Sequence, residues 1–297
     1  MSHATQTKVL PPETYSQLVD WALAEDLGGT VDLQNDITSA WTLNTDNRAR
    51  ARIIARQHGV LAGIDVARAT FARLDPALSF VELATDGDSV EPEQVLVRLE
   101  GGSHALLTGE RTALNFLQRL SGVSTLTRRY VNAVEGTEAR ITDTRKTTPG
   151  WRHLQKWAVL HGGGVNHRIG LFDAVLIKEN HAAACGGVDA AMLRARQQAA
   201  ASGREIDIFV EAETLAQVER LVPLAPARIM LDNMTDETMR QAVDFIRGAN
   251  EQIAIEATGG YTLETVASAA ATGVDLISIG ALTHSAPALD LSMLFDE

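Results

Sequence analysis

Apolar residues recur along this chain at two spacings, and the change from one to the other divides it into two parts. Over residues 14–25, Leu18, Val19, Ala22 and Leu23 share one helical face, and Gly28-Gly29 ends the pattern. Residues 48–56 alternate loosely and predict a strand with His58-Gly59 as its turn. Residues 63–74 predict a helix. Residues 80–84 and 95–99 predict short strands, separated by the turn formers Asp86-Gly87-Asp88 and Glu91-Pro92. This first part is a mixed α+β unit.

The second part is more regular. Residues 106–134 predict a long helix, broken around Ser121-Gly122. Strand-like segments then recur at 140–144, 174–177, 207–210, 228–231, 253–257 and 275–279, with helical patterns at 189–201, 214–221, 236–248 and 263–272. Such alternation implies parallel strands joined by right-handed crossovers. Strands buried on both faces should be continuous apolar runs, as Ala-Val-Leu-Ile at 174–177 and Ile-Met-Leu at 229–231 are. Six strands fall short of the eight of a closed barrel. The expected fold is therefore α/β: a partly open, incomplete α/β barrel preceded by an N-terminal α+β sandwich domain. A doubly wound sheet is the competing arrangement, but no Gly-x-Gly-x-x-Gly follows any of these strands. The expected domains are 1–115 and 116–283, with a tail at 284–297 packing back on the first.

Composition narrows the function. A single cysteine, Cys185, excludes an intrachain disulfide, and residues 1–13 are too polar for a signal peptide. No apolar run approaches bilayer length, so a cytoplasmic protein without a membrane partner is expected. A net charge of -12 argues against nucleic-acid binding. The basic residues nevertheless crowd between Arg111 and Lys178, which suggests a focused site for an acidic small molecule.

The chemistry sits where apolar strands end. Ile141-Thr142-Asp143-Thr144 runs into Arg145-Lys146, and Val175-Leu176-Ile177 into Lys178-Glu179-Asn180. The next two strands end in Glu211 and in Asp232-Asn233, and the last two in Thr258-Gly259-Gly260 and Gly280. In a parallel barrel the carboxyl ends of the strands converge on one face. Cations on early strands suit carboxylates and phosphates. A pair of acids near phosphate suits Mg2+, and glycine-rich turns suit phosphate. In His161-Gly162-Gly163-Gly164-Val165-Asn166-His167-Arg168, the histidines lack the helix and third ligand of a zinc site. His161 alone reads as part of a flexible, solvated loop. Cys185 reads as a packed residue, and Trp151 and Trp157 as core or loop packing.

Three segments then carry a resemblance: Asp143-Thr144-Arg145-Lys146-Thr147-Thr148-Pro149-Gly150, the 162–168 run, and Leu176-Ile177-Lys178-Glu179-Asn180-His181. They resemble the quinolinate phosphoribosyltransferases. Gly109-Glu110-Arg111-Thr112-Ala113-Leu114-Asn115 and Leu120-Ser121-Gly122-Val123-Ser124-Thr125 look like that family's interdomain helix, and the stretch from Glu25-Asp26 to Asp36-Ile37-Thr38 like its N-terminal signature. The likeness spans roughly 18–291.

It implies transfer of phosphoribose from phosphoribosyl pyrophosphate to quinolinate with decarboxylation, Mg2+, and a homodimer with shared sites. By position it implies Arg111 reaching quinolinate from the partner subunit, with Arg145, His167 and Arg168 on its carboxylates. Lys146 and Lys178 would serve carboxylate or pyrophosphate, an allocation left open. Glu211 and Asp232 would address ribose hydroxyls and the metal, directly or through substrate and water. Thr144 joins the substrate-binding set. Thr258-Gly259-Gly260 and Gly280-Ala281 would hold the 5'-phosphate, with His284 beside them. Thr258 replaces the usual serine and keeps the hydroxyl, and Trp151 and Trp157 also depart from the common pattern. Relatives acting on another acidic ring, the molybdenum-associated ones for instance, are the rival within the fold, and a non-catalytic phosphosugar sensor is the rival outside it.

Overall fold

A computed structural model describes residues 10–44 and 46–296, so residues 1–9 of the polar opening segment lie outside it. The chain forms two compact units. The first takes the chain up to Arg128, then Thr148–Gly163, and the end from Ser285; the second takes Arg129–Thr147 and Gly164–His284.

The first unit holds α1 (Ser16–Asp26), α2 (Ile37–Thr42), α3 (Ile64–Leu74) and most of α4 (Ser103–Ala133). Its strands are β1 (Arg48–Ala55), β2 (Gly59–Val60), β3 (Ser79–Glu82), β4 (Ser89–Val90) and β5 (Val95–Gly102). A last strand, β12 (Leu291–Phe295), pairs antiparallel with β1, giving a sheet ordered β12-β1-β5-β3, while β2 pairs with β4. Alternation along β1 and β5 sends Ile53, Val97 and Leu99 into a core with Phe71, Leu106, Leu114 and Leu117, and leaves Arg50, Arg98 and Glu100 outside. Gly28 and Gly29, with φ of 72° and 111°, turn the chain out of α1, a left-handed backbone that glycine adopts without steric cost.

α4 is continuous, which corrects the expected break at Ser121-Gly122. These small residues mark close approach instead. The Ser121 hydroxyl accepts from the Ala62 amide at 3.0 Å, and the Gly122 α-carbon faces the Pro287 carbonyl. α5 (Arg152–His161) is a helix that the sequence pattern did not disclose. It buries Leu154, Gln155, Lys156, Trp157, Ala158, Val159 and His161, so polar side chains lie among its buried residues and polarity does not mark its outer face. His161 is accordingly not in a solvated loop: it ends α5, is 6% exposed, and meets the Trp157 ring at 4.5 Å. Trp151 stacks on Phe116 at 4.8 Å.

Asp86 reaches the start of α3 from a loop and accepts the Ile64 N–H at 3.2 Å. Burial pushes its carboxyl up to about 6. The folded protein therefore binds this proton more tightly than the unfolded chain, whose value is near 3.9. The stability this contributes is present at low pH and is lost as pH rises through about 6. Asp86→Asn keeps an acceptor for Ile64 without the charge. It should raise stability by about 1–2 kcal/mol at pH 7.5 and by nothing at pH 4, in thermal melts at both pH values. An equal effect at both would mean that the charge is not the cause.

The second unit is a parallel sheet ordered β6-β11-β10-β9-β8-β7, open between β6 and β7, hence an incomplete barrel. Its strands are β6 (Arg140–Thr142), β7 (Val175–Ile177), β8 (Ile208–Ala212), β9 (Arg228–Asp232), β10 (Ala254–Thr258) and β11 (Leu276–Ser278). α6 (Glu179–Cys185), α7 (Val188–Ser202), α8 (Leu215–Leu221), α9 (Asp236–Ala249) and α10 (Val266–Ala270) fill the connections, and α11 (Ala281–His284) follows β11. α9 shows the logic: Met239, Ala242, Val243 and Ile246 bury one stripe, and the Thr235 hydroxyl caps the helix by accepting the Thr238 N–H at 3.2 Å. Cys185 is half-buried on α6.

Candidate active site

Strand register builds the site. Paired residues of neighbouring strands point to one face, and the side chains repeat every second residue. Glu211 pairs with Met230, Met230 with Glu256, and Glu256 with Leu276, which makes one layer. Asp232, Thr258, Ser278 and Thr142 make the next layer toward the carboxyl ends. Phe209 and Arg228 lie in the layer below Glu211 and Met230. Polar residues that read singly as strand terminators thus share one face.

They line a cavity of about 640 Å³. Thr144, Arg145 and Lys146 enter it from the loop after β6, and His167 and Arg168 from the chain before β7. Lys178, Glu211 and Asp232 enter from the ends of β7, β8 and β9, and Thr258, Gly259 and Gly260 from the end of β10. Gly280, Ala281 and His284 do not line it but adjoin it, because a β-carbon on Gly280 would lie 3.1 Å from His284 Nε2 and 3.2 Å from Lys146 Cδ. The Thr283 hydroxyl donates to the Lys146 carbonyl at 2.8 Å. Arg111 lies in the first unit, on an exposed face of α4. A larger cleft of about 900 Å³ lies on the outer face of the first sheet, but two of its three arginines, Arg50 and Arg52, are paired with Glu100 and Asp296.

Charge is divided within the cavity. Burial lowers the Arg168 guanidinium from its ordinary value, and the like charge of Arg145 adds to this. Two guanidiniums are thus held together against their repulsion, an arrangement that a dianion relieves. Arg168 Nη1 is anchored on the Ala174 carbonyl at 2.9 Å. At the ends of the neighbouring strands β7 and β8, Lys178 pairs with Glu211. Among the described residues no group of three metal-ligating side chains gathers, so Glu211 and Asp232 could serve only a metal that keeps other oxygen ligands.

Leu176, Met230, Asn233, Glu256 and Ser278 also line the cavity, although the sequence assigns none of them a role. Glu256 had a signal, a charged residue inside the apolar run Ile253-Ala254-Ile255-Glu256-Ala257. It has no exposed surface, and its Oε2 accepts from Arg228 Nη1 at 2.6 Å. Burial raises its carboxyl, and Arg228 opposes that rise. Asn233, at φ 52°, donates its N–H to the Thr258 carbonyl at 2.9 Å and ties β9 to the glycine turn.

Comparison with known proteins decides the family. The N-terminal domain model of quinolinate phosphoribosyl transferase matches residues 36–121, and the C-terminal domain model matches 123–294. The chain belongs to the quinolinate phosphoribosyltransferase family.

Within this family it is 43% identical over 276 residues to a probable nicotinate-nucleotide pyrophosphorylase (carboxylating) of Synechocystis, covering 93% of this chain and 90% of that protein. It is 40% identical over 294 residues to quinolinate phosphoribosyltransferase (decarboxylating) 1b of Nicotiana tabacum, covering 94% of this chain and 81% of the relative. Among solved structures, NadC from Streptococcus pyogenes superposes with a TM-score of 0.90 at 35% identity, over 98% of this chain and all of that one. The nicotinate-nucleotide pyrophosphorylase from Francisella tularensis does so with a TM-score of 0.90 at 36% identity, over 97% of this chain and 98% of that one. The two quinolinate phosphoribosyltransferase domain models meet at Gly122, inside α4.

Among the described residues no helix is long and apolar enough to cross a membrane.

Proposed function

We propose that this chain transfers phosphoribose from phosphoribosyl pyrophosphate to quinolinate with loss of carbon dioxide, giving nicotinate mononucleotide and pyrophosphate for NAD biosynthesis. The observation that supports this most is the mutually repelling pair Arg145 and Arg168 beside His167, facing the two carboxylates Glu211 and Asp232 within one cavity. A cation cluster of that kind suits an acceptor with two carboxylates, and the acids suit a ribose whose ring gains positive charge.

In this reading Arg145, Arg168 and His167 hold quinolinate so that its ring nitrogen faces the anomeric carbon. The bond from nitrogen to that carbon forms as the bond to pyrophosphate breaks. Glu211 and Asp232 hold the ribose hydroxyls and stabilise the developing cation. Lys146 and Lys178 neutralise the departing pyrophosphate or a substrate carboxylate. Mg2+, held by Glu211 and Asp232 directly or through water and substrate oxygens, would add charge neutralisation at the leaving group. As the adjacent carboxylate leaves as carbon dioxide, its bonding electrons stay on the ring carbon, where the positive charge of the quaternary nitrogen stabilises them, and that carbon takes up a proton. Thr258, Gly259 and Gly260, with Gly280, Ala281 and His284, hold the 5'-phosphate. Arg111 reaches quinolinate from the partner subunit of a homodimer and completes the site.

The test incubates the protein with phosphoribosyl pyrophosphate, Mg2+ and either quinolinate or nicotinate, and follows nicotinate mononucleotide. Product is expected from quinolinate only, and a chelator should abolish it until Mg2+ is restored. Product from nicotinate at equal efficiency would overturn the two-carboxylate reading. Mixing an Arg111→Ala protein with one inactivated at Asp232 should restore part of the activity, since one hybrid site is intact. No restoration would sink the shared site.

A further inference from the structure

The cation cluster rests on a buried carboxylate that none of the roles above uses. Glu256 sits in the middle of β10, one layer deeper than Thr258 and level with Glu211. It is fully buried but lines the cavity, with the Ser278 side chain beside its carboxyl. Its Oε2 takes the Arg228 Nη1 hydrogen bond and also lies 3.5 Å from His167 Nε2. Phe209 organises both neighbours: the Arg228 guanidinium stands 4.3 Å over its face, and the His167 ring meets it edge-on at 5.6 Å.

The other side of His167 is equally tied. Its backbone N–H donates to Asp143 Oδ1 at 2.9 Å, and its Nδ1 accepts the Arg168 backbone N–H at 2.7 Å. An imidazole nitrogen that accepts carries no proton, so the ring proton belongs on Nε2, the nitrogen facing Glu256. The chain from Glu256 through His167 ends on the backbone of Arg168, whose guanidinium lines the cavity.

We propose that Glu256 is a positioning residue for the acceptor site: it orients His167 with its proton on Nε2, and through it the backbone of Arg168, while pairing with Arg228 behind them. This rests on the reading of His167 and Arg168 as acceptor-binding groups. Glu256 does not touch the bond being made, so its removal acts on the binding of quinolinate rather than on phosphoribosyl pyrophosphate. Displacing supporting contacts of this kind costs about ten- to a hundredfold.

Glu256→Gln keeps the size and one acceptor. We expect it to raise the KM for quinolinate about tenfold or more, leave that for phosphoribosyl pyrophosphate within about twofold, and be partly rescued by Glu256→Asp. Nitrogen NMR of the histidines should place the His167 proton on Nε2 in the parent protein and show a shifted or mixed tautomer in the variant. Equal changes in both KM values, or none, would overturn the proposal. So would full recovery in Glu256→Gln/Arg228→Met, since Glu256 would then only neutralise Arg228. His167→Ala separates the two levels: unchanged quinolinate binding there defeats the site reading itself, whereas a raised KM there with a normal Glu256→Gln defeats this inference alone.

Discussion

Arg145→Ala should lower kcat/KM for quinolinate by about a hundred- to a thousandfold while leaving the protein at least as stable as before. The first half follows from the cost of deleting one partner of a desolvated, charge-assisted contact, about 2–5 kcal/mol. The second follows from the unliganded site. Arg145 weakens the charged form of Arg168, so its removal relieves repulsion between two partly buried guanidiniums. The Arg145 Nε is buried and makes no hydrogen bond within the described residues, so its loss breaks nothing there. Steady-state kinetics for both substrates and a thermal melt test the two halves together. A lower melting temperature with unchanged kinetics would make Arg145 a structural residue and move the acceptor site elsewhere. Lost activity with raised stability is the signature of a group held for its ligand.

Gly122→Ala should be the most damaging small change in the first unit. An added β-carbon would stand 2.0 Å from the Pro287 carbonyl oxygen and 3.2 Å from the Ala288 α-carbon, both backbone. Helix propensity pulls the other way, since alanine in a helix is favoured over glycine by about 1 kcal/mol. Overpacking against backbone costs about 1–3 kcal/mol and occasionally more, so the clash wins. The segment at Pro287 is the approach to β12, which pairs with β1 as the edge strand of the sheet. The expected result is a melting temperature lower by several degrees and faster proteolysis or hydrogen exchange in the last residues. A melting temperature equal to or above that of the parent would mean that the 285–290 segment gives way freely and contributes little.

The same glycine shows where local reading ends. Ser121-Gly122 predicts a break because serine and glycine lower helix propensity, a local quantity. The structure uses them because other chain segments come close, and closeness between residues far apart in sequence leaves no local mark. Likewise α5 buries Gln155, Lys156 and His161 among its apolar residues, so the polarity of single residues does not tell which of them face inward.

Residue order alone determined the alternation of strands and helices, the incomplete barrel and the polar residues that end its strands. These are legible because periods of two and 3.6 are properties of adjacent residues, and because a buried parallel strand must be apolar until it leaves the sheet. Tertiary structure alone decided which of those residues meet. Glu256 stands 28 residues beyond Arg228, and only parallel register with Met230 sets it level with Glu211 and within reach of His167. A carboxylate inside an apolar strand is unfavourable by itself. What makes it tolerable, and useful, is a guanidinium from the next strand and an imidazole from a loop, partners that the register of the sheet supplies.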